Sequence, residues 1–140
     1  MRSKWLFTLI PVLLAGCMGL DSNSSPKETF TVPVSYDQVF LRARDQAERC
    51  WRGTTGYPLG GGVNTANQTA QLYVSGDFGT GRMGQVDARA RSSTSSEVTV
   101  TVWGINIWDR AAIAAMHEAI EFGVPTCTSY MPQNPDVMSK

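Results

Sequence analysis

Three stretches of this chain alternate apolar and polar side chains with period two, and that pattern restricts the possible folds more than anything else in the sequence. Residues 70–75 put Ala70, Leu72 and Val74 on one side, residues 85–91 put Val86, Ala88 and Ala90 there, and residues 97–103 put Val98, Val100 and Val102 there. Gln, Tyr, Ser, Asp, Arg and Thr take the other side. Such spacing belongs to a strand with one buried and one wet face. The intervening stretches, 76–84 and 92–96, read as hairpin loops, so an antiparallel three-strand meander is predicted.

The flanks supply what that sheet needs to cover its apolar face. Residues 28–34 alternate too, with Phe30, Val32 and Val34 opposite Thr29 and Thr31. Pro33 has no amide to donate, so this strand lies at an edge or ends there. Ser35 and Gln38 have capping-box spacing. Beyond them Tyr36, Val39, Phe40, Ala43, Ala47, Cys50 and Trp51 recur every three or four residues, the stripe of an amphipathic helix that stops at Gly53. The stretch 54–69 is rich in Gly, Pro and Asn, which disfavours regular structure, with room for one short strand near Leu59 or Val63. Asp109 is a good N-cap for a last helix that buries Ala112, Ile113, Met116, Ala119 and Ile120 and ends at Gly123, ahead of Pro125. The order strand, helix, three strands, helix predicts an α+β fold: an antiparallel sheet of about four strands with two helices packed on one face. The expected domain spans 28–128, followed by a flexible tail, 129–140.

The N-terminus belongs to a different kind of instruction. Arg2 and Lys4 precede the apolar run 5–14, and Leu14-Ala15-Gly16-Cys17 closes it. These are the charged, greasy and cleavable parts of a secretory signal. The run of about ten residues is half of the roughly 20 that a membrane-spanning helix needs. The four residues LAGC resemble the lipobox of bacterial lipoproteins. That resemblance implies removal of residues 1–16, a diacylglyceryl group on the Cys17 thiol and acylation of its new amino group. Two or three acyl chains hold a protein on a membrane stably. Met18 stands where lipoproteins retained in the inner membrane tend to have Asp. The resemblance therefore implies the outer membrane, periplasmic side, in a Gram-negative source, and the cell membrane in a Gram-positive one. Residues 17–27 then read as the lipidated cysteine and a flexible tether. About ten flexible residues reach about 15–20 Å. The order of elements is also similar, in architecture alone, to small helix-on-sheet domains of periplasmic lipoproteins, including those of outer-membrane assembly.

With Cys17 committed to lipid, Cys50 and Cys127 remain, and an even pair in an exported chain suggests a disulfide. Two buried free thiols or a metal or redox pair are the alternatives, although a metal would lack ligands because His117 is the sole histidine. In the loop-entropy model a bridge closing a loop of this order adds about 4–4.5 kcal/mol at most. Loss of residues 1–16 leaves 124 of the 140 residues, one domain's worth, with ten basic residues against twelve acidic ones. No basic excess exists for a nucleic acid.

Other motifs point to packing before chemistry. Gly79-Thr80-Gly81-Arg82-Met83-Gly84 spells the dinucleotide fingerprint, but a helix should follow it and residues 85–89 alternate as a strand, so hairpin glycines are expected. His117 has the spacing of a boundary residue on the last helix, and Glu118 and Glu121 that of a solvated face. Trp103-Gly104-Ile105-Asn106-Ile107-Trp108 either seals the corner between sheet and helix or presents an aromatic patch to a partner, with Tyr57 in the glycine-rich loop 53–67 as a second surface. Trp103, Trp108 and Tyr57 are thus the candidate interaction residues, and no catalytic, cofactor or metal site is expected. The expected function is a non-enzymatic, lipid-anchored envelope module that contacts an envelope protein. A small-ligand or cell-wall binder using 53–67 as a lid is the alternative, and a hydrolase with acids among Asp77, Asp87 and Glu97 the third.

Overall fold

One antiparallel sheet of five strands organises the computed structural model, in which residues 19–53, 56–76 and 81–128 are described. The expected signal segment 1–16, Cys17, Asp77 and the expected tail 129–140 lie outside those residues. Along the chain run β1 (Lys27–Val32), α1 (Tyr36–Gln46), β2 (Leu59–Asn64), β3 (Thr69–Ser75), β4 (Arg82–Ser92), β5 (Ser95–Val102) and α2 (Arg110–Phe122). Across the sheet the order is β1-β5-β4-β3-β2. The predicted meander is therefore present and one strand longer, and β1 closes its far edge, ending just before Pro33.

The expectation of about four strands is close, and the fifth, β2, falls where the sequence leaves room for a short strand near Leu59 or Val63. Glycine run Gly60-Gly61-Gly62 pairs with Tyr73, Leu72 and Gln71 of β3. A side chain at Gly60 would strike the Tyr73 ring at 2.4 Å, so the ring lies across bare backbone and shields it. Gly61 has φ +113 and a Cβ there would meet the Gln71 carbonyl oxygen at 1.9 Å. Glycine is what lets the chain press this close to β3, and the ladder holds a strand whose only apolar side chains are Leu59 and Val63.

Both helices lie on the face formed by Ala70, Leu72, Val74, Val86, Ala88, Val98, Val100 and Val102, all buried. α1 contributes Val39 and Ala43, and α2 contributes Ala112, Ile113, Met116 and Ile120. The predicted capping box at Ser35 does not form. Ser35 is the N-cap by its backbone, its carbonyl accepting from Val39 N–H at 2.9 Å, but its side chain makes no cap bond. That side chain hydrogen-bonds Asp37 instead and lowers its pKa. α2 starts and stops as expected, with Asp109 Oδ1 accepting from Ala112 N–H at 3.1 Å and Gly123 left-handed.

Past Gln46, α1 continues as one wider turn, Ala47–Trp51, in which Arg52 N–H reaches back five residues to the Ala47 carbonyl. This turn points Cys50 and Trp51 into the core, both fully buried. Trp51 meets Trp108 edge to face, centroids 5.6 Å apart, and both rings lie over Gly84, where a Cβ would be 2.8 Å from Trp51. Gly84 is thus a place of close approach inside a strand, not a phosphate loop.

The segment after α2 is fastened to α1 twice. Cys50 and Cys127 are disulfide-bonded, their Cα atoms 5.2 Å apart. One turn earlier the fully buried Gln46 donates from Nε2 to the Thr126 carbonyl at 2.7 Å and accepts from Thr126 N–H at 2.9 Å. The side-chain amide thereby pairs with the backbone as a neighbouring strand would, which is what makes its burial tolerable.

The expected flexible tether is laid down on the domain throughout its described part. Leu20 N–H donates to the Arg82 carbonyl at 3.0 Å, and Val102 N–H to the Pro26 carbonyl at 3.0 Å. Between them the chain closes a turn in which Asp21 accepts from Asn23 N–H and from the Ser24 hydroxyl, both at 2.9 Å, and Ser25 is buried. Those two bonds, the backbone one first, hold the Asp21 carboxyl below its ordinary pKa.

Candidate functional site

With both helices on one side, the other side of the sheet is open among the described residues, and the register decides which polar residues meet on it. Gln71 stands opposite Asp87, Tyr73 opposite Gln85, and Asp87 opposite Thr99. Asp87 is bonded through both oxygens, to Gln71 Nε2 at 2.7 Å and Gln85 Nε2 at 2.6 Å. Arg82 Nη1 donates to the carbonyl oxygens of the same two amides, at 2.5 Å to Gln85 and 3.4 Å to Gln71. Guanidinium and carboxylate are thus joined through two bridging amides, each turned one way by the charges at its ends. The guanidinium also caps the Tyr73 ring, 3.9 Å from its centroid.

Beside this network runs a groove of about 340 Å³, lined chiefly by Asn64, Thr69, Gln71, Asp87, Arg89 and Glu97. Gly62 forms part of its floor, and a Cβ there would meet nothing within 4 Å, so the missing side chain is part of the opening. At the far wall Thr99 shares a 2.8 Å hydroxyl contact with Thr29 of the edge strand, and Glu97 pairs with Arg91. The lining offers amide, hydroxyl, guanidinium and carboxylate groups within one concavity, a mixture fitted to hydrogen-bond a polar ligand.

The sequence-predicted residues divide between interior and surface. Trp108 is 3% exposed and seals the core corner, so it takes no part in an exposed aromatic patch. The loop closes over it, with Gly104 N–H donating to the Trp108 carbonyl at 2.7 Å. Trp103 and Tyr57 are half-buried against the core. Asp87 and Glu97 line the groove, each already partnered. His117 sits at the boundary of α2, stacked on Phe30 at 3.6 Å, with Glu28 and Glu121 carboxylates at 3.5 and 3.7 Å. Among the described residues, no group of three His, Cys, Asp or Glu is placed to hold a metal ion, and no helix is long and apolar enough to cross a membrane.

Gln71, Gln85, Arg82, Arg89 and Asn64 are the site residues that sequence reasoning misses. Gln71, Gln85 and Arg89 carry one sequence signal, a position on the wet side of predicted strands that every other outward residue shares, while Arg82 and Asn64 fall in stretches that read as loops and carry none. No protein-family model matches this chain, and no curated protein matches it.

Proposed function

We propose that this chain is a lipid-anchored protein of the bacterial envelope, held by Cys17 to the outer membrane on its periplasmic side, and that it works as a non-enzymatic binding module. The lipobox residues Leu14-Ala15-Gly16-Cys17 support the anchor. The observation that carries the binding reading is the groove on the open sheet face, where polar groups of four strands, β2 to β5, line one concavity. An extended polar ligand of the cell wall, glycan or stem peptide, suits that lining. Protein contact through the tryptophans is less favoured because Trp108 is drawn into the core. Protein contact elsewhere is the second reading, supported by Phe122 and Val124, 69% and 63% exposed on either side of Gly123.

Cosedimentation with purified peptidoglycan sacculi tests the groove. Asn64→Ala with Arg89→Ala removes two ligand hydrogen bonds, and the bound fraction should fall about tenfold in affinity, the equivalent of about 1.4 kcal/mol. Binding equal to that of the unaltered protein would sink the groove as the cell-wall site. A crosslinked partner in the native envelope that is lost on Phe122→Ser and kept in the groove variant would shift the reading to a protein surface.

A further inference from the structure

The docked N-terminal segment has a geometric consequence for the anchored protein. Gly19 is already fixed: a Cβ on it would lie 3.3 Å from the backbone of Gly81 and of Arg82. Met18 alone separates it from Cys17. Two residue steps extend at most about 7 Å, so the acylated cysteine cannot stand further than that from Gly19, which rests against the Arg82 end of the sheet. A free tether would have allowed two to three times that distance.

The same end of the domain carries the 103–108 loop. Pro26, the last residue of the docked segment, packs against Gly104, where a Cβ would be 2.7 Å from its ring. The loop is closed by Gly104 N–H on the Trp108 carbonyl at 2.7 Å and Trp108 N–H on the Ile105 carbonyl at 3.1 Å. Buried Trp108 holds it from beneath, and its tip, Ile105 and Asn106, faces outward with Ile105 47% exposed. Half-buried Trp103 stands at its base. Tryptophan and isoleucine on a preformed turn are the side chains that settle at the boundary of headgroups and acyl chains.

We infer that this end of the domain is a membrane-contact surface, with the 103–108 loop seated in the headgroup region of the bilayer that holds Cys17. The inference rests on the lipid anchor proposed above. It fixes the orientation of the domain: the strands stand with their Arg82 and Val102 ends on the membrane, and the β4–β5 hairpin faces away. The eight residues of β5 place that hairpin about 25 Å further out.

The test uses the acylated protein in vesicles of phosphatidylethanolamine and phosphatidylglycerol. Asn106→Cys supplies one reactive thiol, since the Cys17 thiol carries the diacylglyceryl group and Cys50 is bonded to Cys127, and Thr94→Cys in the distal hairpin is the control. An environment-sensitive fluorophore at position 106 should shift to the blue and be quenched at least about twofold more than at 94 by spin-labelled lipid, as expected for burial at about 5–10 Å depth. Ile105→Cys, free of the left-handed backbone of Asn106, should give the same result. Equal quenching at 106 and 94 in protein that floats with vesicles and carries the acyl mass would overturn the inference while leaving the anchor intact. Absence of the acyl mass and of flotation would defeat the anchor, and this inference with it.

Discussion

On the helix side of the sheet Val74, Val98, Val100 and Val102 are fully buried in a continuous apolar core. One backbone layer away, on the open side, Gln71, Gln85, Asp87 and Arg82 are joined side chain to side chain. The covered face is stabilised by area removed from water, which depends on volume and shape and responds little to pH. The open face exchanges water's hydrogen bonds for its own, so its net contribution is small and its effect is to fix where donors and acceptors point. The two faces of one sheet thus divide labour between holding the fold and displaying chemistry.

The contrast can be broken most severely at the core corner. Trp51→Ala should cost about 3–5 kcal/mol, read by chemical denaturation, from lost burial and the cavity left beside Trp108 and Gly84. Its indole N–H has no hydrogen-bond partner among the described residues, so the loss is one of packing. A change under about 1 kcal/mol would mean that this corner is not close-packed. On the open face Asp87→Ala should cost only about 0.5–1.5 kcal/mol. The Gln71 and Gln85 side-chain amides should nevertheless lose their slow-exchanging NMR signals, because the acceptor that orients both is gone. A stability loss as large as that at Trp51 would erase the distinction between the faces.

The smallest effect is expected in acid. Asp21 and Asp37 have folded-state pKa values below the ordinary 3.8, so between the folded and unfolded values the folded chain binds fewer protons. Their contribution is therefore complete above about pH 4 and is lost as pH falls through the lowered values. Asp21→Asn should flatten the acid limb of the stability curve slightly, measured as denaturation midpoint against pH. An unchanged limb would show that the Asp21 turn does not help hold the N-terminal segment.

The faces also differ in how much of them the sequence reveals. Residues such as Leu72, Val86 and Val100 announce the covered face because burial forces an apolar residue at every second position. Nothing comparable announces the bond from Gln71 to Asp87, since their meeting depends on the register of β3 against β4. β2 is only half legible for another reason: Leu59 and Val63 leave room for a short strand, but its hold lies in backbone pairing and the glycines between them carry no pattern. The docking of residues 20–26 is equally silent, being made by the Leu20 amide and the Pro26 carbonyl. Gln46 reads as one more polar residue on α1, and only the Thr126 backbone across from it explains its burial. The Cys50–Cys127 bond is different again, as it is the pair expected once Cys17 is assigned to the proposed lipid anchor.

The amide of Gln46 gives the disulfide a jig. It grips Thr126 by both backbone groups without reference to the state of any sulfur, one turn from Cys50 and one residue from Cys127. A chain that has reached this arrangement in its reduced form already has its thiols facing each other. Oxidation then ratifies a contact instead of searching for one, and a bridge broken later by a reductant leaves its ends parked where they can be rejoined.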